Sequence, residues 1–188
     1  MLRKLDYNAP VILTFALMSF AVLCLGWLTA GKTTTMFFCV YGSSWSDPLT
    51  YVRLFGHVLG HADLSHYLGN IMLFLLIGPV VEEHYGSGRL LVMILLTALI
   101  IGLINMLLFP TVGLLGASGI VFMLIILGSM ASGAHGRIPV TFLLVTVLYL
   151  GQEVYNAFFA ADDISQLAHI AGGVMGLIYG LLWRPGRR

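Results

Sequence analysis

Charge is scarce in this chain. Of its 188 residues, 9% are charged and 59% hydrophobic, and the mean hydropathy is +0.97. A water-soluble domain carries roughly 25% charged residues, because its surface faces water. A chain this poor in charge must turn apolar surface to lipid, so it reads as an integral membrane protein with the bilayer as its first partner. Cysteine is nearly lacking as well: Cys24 and Cys39 are too few for a disulfide scaffold. With a net charge of +1 and scattered basic residues, there is no phosphate-binding stripe, and nucleic acid is not an expected partner. His-Glu-x-x-His is missing, and no Cys or carboxylate stands at matching spacing from His57, His61 and His66. Zinc is therefore not expected. Repeats, low-complexity tracts and a second domain are also missing.

What is present is a series of long apolar runs. Six of them have the roughly 17–25 residues that a membrane helix needs: Pro10–Ala30, Ser65–Val81, Leu90–Phe109, Gly116–Gly133, Ile138–Asn156 and Ile164–Trp183. The expected fold is an all-α bundle of six transmembrane helices forming one domain over residues 1–188. The first run follows Arg3 and Lys4 but exceeds the roughly 7–15 residues of a secretory core, so it is expected to span and not to be cleaved. The fourth and fifth runs, separated only by Ala134-His135-Gly136-Arg137, must form a tight hairpin. Gly31–Leu64 is polar and aromatic (Tyr41, Trp45, Tyr51), contains Pro48, and reads as a partly structured loop at the membrane surface.

Basic residues set the orientation. With the N-terminus inside, Arg3, Lys4, Arg89, Arg137, Arg184, Arg187 and Arg188 fall on the inner side and only Lys32 and Arg53 on the outer. Both termini are thus expected to be cytoplasmic, in the cell (inner) membrane. Spans two, four and six then run from outside to inside, which puts His66, Ser118 and His169 together at the outer ends of their helices.

Ser118 lies in Gly116-Ala117-Ser118-Gly119, after Pro110 and Gly113. These breakers predict irregular backbone that enters the membrane and turns into a helix at Ser118, a form tolerated where protein or a water-filled cavity surrounds it. A serine there stands beside free helix N–H groups able to hold an oxyanion. The bland alternative is a serine bonded back to a carbonyl one turn earlier. Ionisable groups inside spans are costly and default to function, and His169 is followed by Gly172, Gly176 and Gly180 on one helix face. A small-residue stripe lets another helix approach closely. If that helix is the fourth, with Gly119 at the contact, Ser118 Oγ comes within reach of the imidazole, as covalent catalysis requires. Asp162 and Asp163 sit in a loop, so a Ser–His dyad is expected and not a triad. His66 and Asn70 share one face of span two; they read as interhelical hydrogen bonders or as oxyanion donors.

Taken jointly, these stretches resemble the rhomboid intramembrane serine proteases. Arg53-Leu54-Phe55-Gly56-His57-Val58-Leu59-Gly60-His61, with His66-Tyr67-Leu68-Gly69-Asn70, is similar to the family's loop-to-span-two motif. Glu82 and Gly86-Ser87-Gly88 resemble its inner turn, Gly116-x-Ser118-Gly119 its nucleophile motif, and Ala168-His169-x-Ala171-Gly172-x-x-x-Gly176 its base motif. Two positions depart: Val52 stands where a tryptophan is common, and Phe122 where the family often stacks a tyrosine on the catalytic histidine. The resemblance implies a six-helix proteolytic core, no cofactor, and cleavage of single-span membrane proteins near the outer interface. It implies a nucleophile Ser118, a base His169, and oxyanion support from His66 and Asn70. An inactive rhomboid-like chaperone or trafficking factor is the main rival, against which the intact Ser118 and His169 count. A transporter or channel is the other; against it, no acid besides Glu153 is expected deep in a span.

Overall fold

A computed structural model describes residues 6–131 and 163–183, together with positions 140, 144, 147 and 148. Seven helices follow in order: α1 (Pro10–Leu28), α2 (Lys32–Phe37), α3 (Pro48–Gly56), α4 (Leu64–Tyr85), α5 (Ser87–Leu108), α6 (Ser118–Ala131) and α7 (Asp163–Leu182). Among the described residues the only β pairing is one isolated antiparallel bridge, Val40 to Leu114. By length and composition α1, α4 and α5 can cross a membrane, and α6 and Gln166–Leu182 are shorter apolar helices. Most of the expected fifth span, and the hairpin turn before it, lie outside the described residues.

Burial sorts the helices. Leu28, Leu76 and Leu182 are among the most exposed side chains, as lipid-facing residues must be in a chain with too little polar surface. α6 is the opposite case, with every residue from Gly119 to Ile125 buried. A helix that is apolar all round and enclosed all round is the centre of a bundle. Ser118 therefore opens the central helix, and α7 makes the most extensive contact with it.

Two boundaries differ from those read off the sequence. α4 continues through Glu82 and Glu83 to Tyr85, and α5 restarts at Ser87. Gly86 alone turns the chain, at φ 85°, a conformation open to glycine. Glu82 is thus buried inside a helix, 3% exposed, in its last turn; Glu153 is outside the described residues. The burial of Glu82 has a cause. α1 begins after Ala9 with no side-chain cap of its own, and Glu82 supplies one from another helix: Oε1 accepts from Val11 N and Oε2 from Ile12 N, both at 3.0 Å. A carboxylate at a helix N-terminus satisfies orphan N–H groups and favours the helix dipole. Charge-assisted bonds of this kind contribute about 1.5–3 kcal/mol each. Glu82→Leu should accordingly lower stability by about 3 kcal/mol or more, and Glu82→Gln, with one acceptor oxygen left, by less. Thermal melting in detergent checks this; a Glu82→Leu protein that melts like the wild type rules out the cap.

Arg53 organises the loop between α1 and α4. Its Nε donates to the Met36 carbonyl at 2.9 Å and its Nη1 to Asp47 Oδ2 at 3.0 Å. The guanidinium lies 4.7 Å from the centre of the Tyr41 ring. Asp47 in turn caps α3 through Leu49 N. One buried guanidinium, polarising three separate stretches of loop, holds residues 36–53 as a folded unit. Val52 is exposed and stands outside this arrangement.

Candidate active site

The segment before α6 is extended and fastened at alternate residues. Gly42 N donates to Pro110 O at 2.9 Å, Val40 and Leu114 exchange N–H···O bonds at 2.9 and 2.8 Å, and Gly116 N donates to His57 O at 3.0 Å. Gly116 has φ 126°, which only glycine adopts without strain. That turn swings the chain into α6, whose first residue is Ser118. The first N–H groups of a helix have no acceptor within it, so donors and a hydroxyl share one point at the start of the central helix.

α7 presses against this point because neither helix has side chains in the way. A β-carbon on Gly172 would overlap the Gly119 carbonyl oxygen, and one on Gly176 would lie 2.7 Å from the Met123 carbonyl oxygen. One on Gly119 would lie 3.1 Å from the Ala168 carbonyl oxygen. Ser118 and His169 thus each neighbour a residue of the same backbone contact. Phe122, one turn after Ser118, stacks on the His169 ring with centroids 4.5 Å apart and planes 15° from parallel. The imidazole lies over the first turn of α6, and His169 is buried.

From the other side comes α4. A β-carbon on Gly116 would sit 2.8 Å from His66 Nε2. Asn70, one turn further along, is buried, and its Nδ2 donates to the His66 carbonyl at 3.0 Å. The structure therefore gathers His66, Gly116, Ser118, Gly119, Phe122, His169 and Gly172 around one spot. Asn70 sits beside His66, and Gly176 lies one turn deeper along the contact.

His57 and His61 lie under this spot. Burial pushes each imidazole down to about 4, so both are neutral at neutral pH. His57 Nδ1 is 3.2 Å from the Arg53 carbonyl, which can only accept. His61 Nδ1 is 3.1 Å from Ser19 Oγ, whose own proton goes to the Leu59 carbonyl. Nδ1 therefore carries the proton in both rings. No three His, Cys, Asp or Glu side chains form a metal-binding group among the described residues.

The profile of the Rhomboid domain matches residues 48–186. The chain belongs to the rhomboid family. Among its relatives, Rhomboid-related protein 1 of Caenorhabditis elegans is 31% identical over 138 residues, covering 68% of this chain and 38% of that protein. Rhomboid protease GlpG of Pectobacterium atrosepticum is 30% identical over 130 residues, 67% of this chain and 46% of the relative. GlpG of Photorhabdus laumondii is 27% identical over 177 residues, 92% and 61% of the two chains. This rhomboid chain spans between about two fifths and three fifths of the length of these relatives.

Two buried polar residues of the rhomboid fold escaped sequence reasoning: Asn105 in α5, and Glu82, at the far end of α4 from the site, in its role as a cap. An amide inside an apolar run is itself the missed signal, because hydrocarbon offers it no partner.

Proposed function

We propose that this rhomboid-family protein is an intramembrane serine endopeptidase acting through a Ser118–His169 dyad, within a bundle of six spans whose termini are both cytoplasmic. The observation that carries this reading is the backbone contact of Gly119 with Ala168 and Gly172, which sets a stacked imidazole over the turn that Ser118 opens. His169 takes the proton from Ser118 Oγ as the oxygen attacks a peptide carbonyl. The imidazolium then protonates the leaving amine, and water from the outer face hydrolyses the ester. Ring stacking by Phe122 keeps the imidazole edge toward the serine and needs no hydroxyl, so the departure from tyrosine spares the chemistry. No cofactor enters any step. Substrates are single-span membrane proteins whose helix unwinds near the outer interface, small or helix-breaking residues easing that step. Reconstituted protein should cleave a reporter of this kind in a Ser118-dependent manner; intact reporter after prolonged incubation with wild-type protein overturns the proposal and favours a non-proteolytic rhomboid-like role.

His66 and Asn70 act as oxyanion donors in this scheme. One Asn70 N–H is engaged by the His66 carbonyl, and an amide has a second to give. Donors aimed at charge that develops in the transition state affect turnover more than substrate binding. Asn70→Ala should lower kcat by roughly 10- to 1000-fold with a smaller change in KM, and His66→Ala should behave similarly. Rates per active-site-titrated molecule, taken well below the melting transition, check this. Unchanged kcat in both variants would reduce the pair to helix–helix hydrogen bonders.

A further inference from the structure

Asn105 lies in the last turns of α5, in an otherwise apolar stretch, and is 1% exposed. Its Nδ2 donates to two carbonyls at 3.0 Å, that of Val40 in the loop before α3 and that of Val112 in the segment leading to Ser118. The Val40 carbonyl already accepts Leu114 N at 2.8 Å, so the amide is not needed to satisfy it. Among the described residues Asn105 Oδ1 has no hydrogen-bond partner. A leucine here would fill the same space and leave no orphan oxygen, so packing does not explain an asparagine. What the amide adds is a fastening: it ties Val40, one partner of the Val40–Leu114 bridge, to Val112, two residues before the other.

Four fastenings hold the segment 110–116, at Pro110, Val112, Leu114 and Gly116. Those at Pro110, Leu114 and Gly116 run backbone to backbone, from the loop before α3 and the turn after it. Among the described residues, Asn105 alone ties the segment through a side chain, and from the long helix α5. The segment ends at Gly116 and Ser118, whose placement against His169 decides whether the hydroxyl is in line for attack. An error of about 1 Å at such a group can cost on the order of 100-fold in rate.

We propose that Asn105 is a positioning residue for the nucleophile: its side-chain amide locks the loop before α3 to the segment before Ser118 and so fixes the depth and direction of the serine. This rests on the reading of Ser118 as the nucleophile.

The test uses the full chain in detergent with a transmembrane reporter substrate, measuring kcat, KM and melting temperature. Asn105→Leu should lower kcat about 10- to 100-fold, with KM within about threefold. The decisive readout is restoration. Val40 and Leu114 exchange both N–H···O bonds, which puts their Cα atoms about 5.5 Å apart, within the range of about 4.4–6.8 Å that a disulfide spans. Val40→Cys with Leu114→Cys, in a Cys24→Ser, Cys39→Ala background, supplies a covalent replacement for the amide clamp. In the Asn105→Leu protein, oxidation of this pair should recover most of the lost kcat and reduction should remove it again. A purely structural loss of stability would not return with one bond at this bridge. Wild-type kcat in Asn105→Leu, or a deficit that oxidation leaves unchanged, overturns the proposal alone. If wild-type protein shows no Ser118-dependent cleavage, the protease reading falls and this proposal with it. Should Asn105→Leu fail to fold, the same measurements on Asn105→Ser decide, and wild-type kcat there overturns the assignment.

Discussion

Ser118→Ala should reduce cleavage of a transmembrane reporter by roughly five to six orders of magnitude, the loss typical when one member of a serine–histidine unit is removed. His169→Ala should do the same, and the double variant should be no slower than either single. This non-additivity follows from the chemistry: without a base the hydroxyl stays protonated, and without the hydroxyl the base has nothing to activate. Both variants should remain folded. Ser118 is only partly buried, and removing His169 leaves the contact of Gly119 with Gly172 intact, since that contact is backbone. Reporter cleavage, measured alongside thermal melting of each purified protein, reads both effects. Appreciable cleavage by Ser118→Ala protein would sink the assignment, and equal losses of activity and fold would leave it without support.

Gly172→Ala should destabilise the protein by at least about 3 kcal/mol and abolish activity with it, the upper end of what overpacking costs in a core. A single methyl is enough because its target is the Gly119 carbonyl oxygen. Backbone on a central helix cannot rotate aside as a flexible side chain does, so α6 and α7 must separate along their length. The adjacent residue provides the control. A β-carbon on Gly173 meets nothing within 4 Å, and alanine in a helix interior is favoured over glycine by roughly 0.5–1 kcal/mol. Gly173→Ala should therefore melt at or above the wild-type temperature with full activity. Melting curves and specific activities of the two variants, side by side, check the pair. Similar behaviour at positions 172 and 173 would mean that close approach of α7 to α6 is not what the glycine face provides.

The glycine face of α7 was visible in the sequence, since Gly172, Gly176 and Gly180 recur at helical spacing from His169; Gly173, four residues from His169, fits that spacing as well, and only the packing separates it from Gly172. The start of α6 at Ser118 was also legible, because Pro110, Gly113 and Gly116 together disfavour a helix running through them. Periodicity and breakers are local signals, and local signals were read correctly. Span two was ended too early, at Val81, because two acids in succession look like a membrane boundary. They cease to be one when a helix N-terminus some 70 residues away supplies two N–H donors to the first acid. The same blindness hid Asn105, whose partners Val40 and Val112 stand 65 and 7 positions away. A hydrogen bond from a side chain to a distant backbone carbonyl leaves no period in the sequence. It becomes visible only when the chain has folded back on itself.

The cap that Glu82 places on α1 also sets the extent of the folding unit. The family profile begins at residue 48, beyond α1, so the profile by itself would mark that helix as a dispensable attachment. Its hydrogen bonds say otherwise. Glu82 would lose both its partners without α1, Tyr67 would lose the Ala16 carbonyl, and His61 would lose Ser19. Such a truncation would leave Glu82 and Tyr67 without these partners and His61 with only the Leu59 carbonyl. During synthesis the dependence runs the other way: α1 leaves the ribosome before the carboxylate that will cap it exists.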